Sequence, residues 1–203
     1  MKITKALYFQ GNVDYKKCPK LDRPEYALVG RSNVGKSSIV NMLTDNRKLA
    51  QISASPGKTK LINHFLINDS WYLVDLPGYG WARTSKTSKA EWDIMTKEYL
   101  MYRTNMICAL VLIDICLEAQ PIDLDYMGGL ATHGVPFVIL FTKSDKNNKN
   151  KIAGLVEKYQ QAMLETWDEL PQMIVTSSKE KTGKEEILSL IDGLNKNFDK
   201  DDI

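Results

Sequence analysis

Short apolar runs alternate along this chain with segments of helical periodicity. Strands are predicted at Tyr26–Val29, Ile62–Ile67, Trp71–Val74, Ile107–Ile113, Phe137–Phe141 and Met173–Val175. Helices are predicted over Lys36–Leu43, Ser88–Tyr102, Ile122–Thr132, Asn150–Trp167 and Lys184–Asn197. Near-continuous apolar strands such as ICALVLI and FVILF suit a sheet covered on both faces, where neither side of the strand meets water. Ile62–Ile67 and Trp71–Val74 differ, because Asn68-Asp69-Ser70 between them is a tight turn that favours an antiparallel hairpin. The pattern therefore predicts an α/β fold: a doubly wound, mostly parallel six-stranded sheet with one antiparallel strand. In such a fold a ligand sits beyond the carboxyl ends of the strands.

Composition narrows the class. The 203 residues, 43% hydrophobic and 26% charged, are globular in balance and suffice for one domain with short decorations. The expected organisation is an N-terminal lead over 1–23 packed on the domain, the domain itself over 24–198, and a frayed acidic tail over 199–203. The longest apolar run, Met106–Ile113, has eight residues and is far short of the ~18 needed to span a bilayer. The N-terminus lacks the apolar core of a signal peptide. Cys18, Cys108 and Cys116 form no CxxC pair, consistent with reduced thiols in a cytoplasmic protein. With 27 basic and 25 acidic residues the net charge is +2, which by itself selects no partner.

Gly30-Arg31-Ser32-Asn33-Val34-Gly35-Lys36-Ser37 matches GxxxxGK[ST], directly after the strand YALV and at the opening of a helix. Backbone N–H groups of such a loop, from Gly30 to Ser38, can nest around α- and β-phosphates at a positive helix N-terminus. Lys36 would reach the β/γ oxygens and the Ser37 hydroxyl would bind Mg²⁺. Asp75-Leu76-Pro77-Gly78 follows the strand WYLV; Asp75 would hold Mg²⁺ and the Gly78 N–H would sense a γ-phosphate. Thr142-Lys143-Ser144-Asp145 follows FVILF. The Asp145 carboxylate can accept from N1–H and N2–H₂ of guanine, whereas adenine would leave it unpaired at a cost of kilocalories. The stem of Lys143 can lie over the purine face. Thr176-Ser177-Ser178 resembles a weak loop that contacts guanine O6 through backbone N–H groups. Four motifs in one order, each at a strand end, point to a P-loop domain for GTP and GDP. Between the first two motifs, a threonine is expected to complete the Mg²⁺ shell. Thr59 is the best placed, with Ser53, Ser55 and Thr44 as competitors.

Together, RSNVGKSS at Arg31–Ser38, SPGKTK at Ser55–Lys60, DLPGYGWA at Asp75–Ala82 and TKSD at Thr142–Asp145 resemble the EngB (YihA/YsxC) family of bacterial GTPases. The resemblance covers essentially the whole chain. It implies a small monomeric Mg²⁺-dependent GTPase that assists assembly of the large ribosomal subunit, contacts ribosomal RNA rather than membrane, and is needed for normal division and septation. It also implies roles for Gly57 and Lys58 beside Thr59, with Lys36, Thr59 and Gly78 as the catalytic set. An alternative is a nucleotide-dependent interaction module of the division machinery whose hydrolysis is incidental.

Tyr79 stands where Ras-like GTPases have a water-orienting glutamine, which predicts slow intrinsic hydrolysis completed by a partner. Some GTPases lacking that glutamine carry asparagine in the phosphate loop and hold a potassium ion with it. Asn33 is thus a candidate K⁺ ligand, or else a residue that simply tolerates a positive φ. Basic residues cluster at Lys2–Arg23, Arg83–Lys89 and Lys143–Lys158, a solvated surface or, given the resemblance, RNA contacts. Trp81 is a candidate partner-facing anchor, whereas Trp71, Trp92 and Trp167 are packing residues. His64 and His133 have no metal-ligating constellation around them.

Overall fold

The computed structural model describes residues 1–51, 61–79 and 86–199, with only the helical backbone given for 86–93. Among the described residues seven strands and five α-helices follow in the order β1 (Ala6–Asn12), β2 (Glu25–Gly30), α1 (Lys36–Leu43), β3 (Ile62–Ile67), β4 (Trp71–Asp75), α2 (Lys86–Tyr102), β5 (Met106–Asp114), α3 (Pro121–Thr132), β6 (Phe137–Thr142), α4 (Lys149–Leu164), β7 (Met173–Val175) and α5 (Lys184–Asn195). They form one sheet in the order β1-β3-β4-β2-β5-β6-β7. β3 runs antiparallel to both of its neighbours, and the other strands share one direction. The architecture is the predicted one, with a seventh strand in place of six. Sequence pattern misses β1 because an edge strand is paired on one side only. ALYFQGN accordingly carries no buried residue, and its short apolar run Ala6–Phe9 leaves Tyr8 and Phe9 exposed.

Period-two side-chain alternation splits each central strand between two cores. Ala27 and Val29 of β2 face Tyr99 and Leu100 of α2, Met127 of α3 and Met163 of α4. Tyr26 and Leu28 face Ile39 and Leu43 of α1 and Ile187 and Ile191 of α5. Both faces of β2 are dry, which explains the uninterrupted apolar reading. The β3–β4 hairpin turns as predicted, with Asn68 and Asp69 at φ 49° and 56° and the Ser70 N–H donating to Ile67 O. The Asn68 side chain also fastens the N-terminus, accepting from the N–H groups of Thr4 and Lys5 at 2.9 and 3.1 Å and donating to Lys2 O. α4 stops at Leu164, short of the predicted Trp167, whose ring packs edge-on against Phe137.

A charged cluster fixes α2 to the start of β2. Glu25 is fully buried and accepts hydrogen bonds from the Tyr99 hydroxyl and from Arg103, whose Nε lies at 3.2 Å. His64 Nε2 lies 3.4 Å from the same carboxylate. Arg103 also donates to Pro19 O at 2.9 Å and so ties the N-terminal segment to the helix. Burial opposes ionisation of Glu25, but His64 and Arg103 outweigh it and pull the carboxyl down to about 2.

Candidate nucleotide site

Gly30 to Lys36 wraps from the end of β2 into α1, and two glycines make that path possible. A Cβ on Gly30 would lie 2.8 Å from Leu112 O, and Gly35 caps α1 at φ 119°, where an L side chain is strained. Val34 anchors the loop in the core, while Asn33 is exposed at φ 63°. That positive φ is one that asparagine tolerates better than most residues.

β4 delivers Asp75 beside the loop. The Ser37 hydroxyl donates to Asp75 Oδ2 at 3.2 Å, and Asp75 Oδ1 is buried with no hydrogen-bond partner among the described residues. Burial pushes the Asp75 carboxyl up, against the pull of Lys36 and Ser37; burial pushes the Lys36 ammonium down, against Asp75. The Ser37 hydroxyl and the Asp75 carboxylate, with its orphaned Oδ1, form a hard-oxygen pair that fits a divalent cation such as Mg²⁺. Lys36 Nζ donates to Gly30 O at 3.2 Å. A Cβ on Gly78 would meet Lys36 Nζ and Ser32 N at 3.0 Å each, so the Asp75–Gly78 turn approaches the phosphate loop as only glycine allows. Leu76 N–H donates to Leu28 O and Tyr79 N–H to Gly30 O, which fixes that approach through the backbone. Pro77 bridges them.

Tyr79 turns away from this corner. Its hydroxyl donates to Asp123 Oδ1 of α3 at 3.0 Å, and its ring stacks on Tyr126 at 4.1 Å. The side chain is buried there. Beside it, between α2 and α3, a cavity of about 430 Å³ is bordered by Pro77, Gly78 and Tyr79 and walled mainly by apolar side chains.

The motifs expected to read the base meet the Gly30–Lys36 loop through Thr142, whose hydroxyl donates to Val34 O at 2.8 Å. Lys143 follows at φ 64° and its ammonium lies 2.7 Å from Asp114 Oδ2. Asp145 Oδ1 accepts from the Ser177 hydroxyl at 2.7 Å, and Ser144 N–H donates to Thr176 O. TKSD and the Thr176–Ser178 loop thus form one wall. Of the predicted residues, Gly30 to Ser38, Asp75 to Gly78, Thr142 to Asp145 and Thr176 to Ser178 converge at one end of the sheet. Gly57, Lys58 and Thr59, with their competitors Ser53 and Ser55 and with Trp81, lie outside the described residues. Thr44, the remaining competitor, caps α1 and bonds its hydroxyl to Val40 O.

Sequence reasoning missed Asp114 and Asp123. An aspartate ending the apolar run of β5, next to the strand that carries TKSD, is a readable sign for Asp114. Asp123 gives none, since its partner lies 44 residues away on another element.

A family model described as a 50S ribosome-binding GTPase matches residues 25–143. The chain is 50% identical to the probable GTP-binding protein EngB of Porphyromonas gingivalis over 195 residues, covering 96% of this chain and 97% of that one. Among solved structures, a probable GTP-binding protein EngB superimposes with a TM-score of 0.65 at 20% identity, over 86% of this chain and all of that one. Era bound to MgGDPNP and nucleotides 1506–1542 of 16S ribosomal RNA superimposes with a TM-score of 0.66 at 21% identity, over 85% of this chain and 56% of that one. Identity at this level across nearly its whole length places the chain in the EngB family of GTP-binding P-loop GTPases.

Proposed function

We propose that this GTPase is a slow switch that assists assembly of the large ribosomal subunit, bound in one nucleotide state and released after hydrolysis. One observation carries the nucleotide reading: Lys36, Ser37, Asp75 and Gly78 converge with Asp145 and Ser177 at one end of the sheet. In this reading the loop N–H groups and Lys36 bind the phosphates, Asp145 reads guanine, and the Gly78 N–H registers the γ-phosphate. Ser37 and Asp75, with Thr59, would hold Mg²⁺, which neutralises charge on the β- and γ-oxygens. Tyr79 committed to Asp123 and Tyr126 supports slow intrinsic turnover that a partner completes. The 50S ribosome-binding description of the matching family model and the ribosomal RNA bound by Era support a ribosomal partner. Among the described residues no helix is long and apolar enough to cross a membrane. The working form is a cytoplasmic monomer.

Co-sedimentation with large ribosomal subunits is expected with a non-hydrolysable GTP analogue and to weaken at least tenfold with GDP, a coupling of about 1.4 kcal/mol. Equal or absent binding in both states would transfer the reading to a module of the division machinery. Potassium belongs to the same proposal. GTP turnover should rise in KCl over matched NaCl, and Asn33→Ala should erase the difference. Equal rates in both salts for the unmodified chain would leave Asn33 as a backbone residue only.

A further inference from the structure

We propose that the N-terminal segment, together with the last turn of α2, is a docking platform for unpaired RNA; the proposal rests on the ribosomal reading above and names the surface that reading needs. Charge is distributed unevenly. Residues 1–23 hold six lysines and arginines and two aspartates, a net charge of +4, so the rest of the chain is left at −2 although the whole is at +2. Lys16, Lys17 and Lys20 are exposed, and among the described residues none of them joins an ion pair, whereas Lys5 pairs with Asp69 and Arg23 with Asp22.

Aromatic rings stand among these charges. The register of β1 slips between Tyr8 and Gln10, a bulge at Phe9, and this edge-strand ring is left 46% exposed. Phe9 leans on Tyr72, which the Arg23 guanidinium overlies at 5.9 Å. Tyr102, 56% exposed at the end of α2, packs on Tyr15, and Lys16 Nζ lies 5.7 Å from the Tyr15 ring.

The lysines sit on a built turn rather than a loose tail. Asp14 Oδ1 accepts from Lys16 N–H at 2.9 Å, Gln10 donates to Lys17 O at 3.1 Å, and the Arg103–Glu25 cluster holds Pro19 O. Open ring faces beside unneutralised lysines are what a single strand requires, since bases stack on the rings while phosphates meet the ammonium groups. A duplex hides its base faces and would use the charges alone. None of these residues belongs to the nucleotide site, so the platform can be occupied while GTP is bound.

Fluorescence anisotropy with a labelled unpaired RNA of about 20 nucleotides, and with the same strand annealed to its complement, tests this. Lys16→Ala/Lys17→Ala/Lys20→Ala should flatten the slope of log affinity against log salt by about 2. Phe9→Ala/Tyr102→Ala should weaken unpaired RNA about tenfold or more, leave the slope unchanged and spare the duplex, and Phe9→Trp should retain binding. GTP-induced thermal stabilisation should be unchanged throughout, which reports an intact fold. Variants that bind unpaired RNA as the unmodified chain does would overturn the platform and leave the ribosomal reading standing. Unmodified chain that binds ribosomal particles but no RNA would overturn RNA as the occupant in favour of a ribosomal protein. Failure to bind either would overturn the ribosomal reading itself.

Discussion

Asp145→Asn is expected to weaken GTP by about 1,000-fold, roughly 4 kcal/mol, and to admit xanthosine triphosphate in its place. A carboxylate accepts from both N1–H and N2–H₂ of guanine. An amide keeps one acceptor and turns an N–H against the N2 amino group, whereas xanthine presents a carbonyl at that position. The Ser177 hydroxyl, 2.7 Å from Oδ1, orients the carboxylate and can hold the amide oxygen in the same way, so the loss reports base reading rather than collapse of the loop. Competition against a fluorescent GDP analogue measures the effect. Unchanged GTP affinity in the variant would remove Asp145 from the base site.

The largest stability effect is expected from Arg103→Ala: about 3–5 kcal/mol, with Tm lower by roughly 10 °C. The change leaves the fully buried Glu25 without its guanidinium partner and frees Pro19 O, so the N-terminal segment and the end of α2 loosen together. Replacing both charges, Glu25→Leu with Arg103→Met, should recover much of that loss, because the pair's attraction mainly repays its own desolvation. The cluster also sets an acid limit. Glu25 titrates near 4.5 when free of its neighbours and near 2 in the fold, so the folded state binds fewer protons. Its contribution is complete above pH 4.5 and is lost as pH falls towards 2. Urea midpoints for the unmodified chain and Arg103→Ala across that range check both statements. A variant as stable as the unmodified chain would reduce the cluster to passive packing.

Much of the site was legible because its chemistry is local. A phosphate nest needs consecutive backbone N–H groups, so Gly30 to Ser37 must be contiguous, and each further motif must sit where a parallel strand ends. Strand runs such as ICALVLI could be read for a similar reason, since a strand with helices on both faces is apolar at every position. β1 was illegible because its burial is partial and comes from β3, more than 50 residues away, through pairings such as Ala6 with Ile67. Tyr99 and Arg103 stand four residues apart on one helix face, but no spacing rule joins them to Glu25 and His64. Only tertiary packing brings their charges together in a dry interior, where an unpaired member would be costly. Tyr79 marks the division within a single residue. Sequence determined that it is not a glutamine and so cannot orient water in the same manner. The fold alone decided that its hydroxyl meets Asp123 on α3 and its ring meets Tyr126, because those partners depend on where α3 packs against the sheet and not on any local pattern.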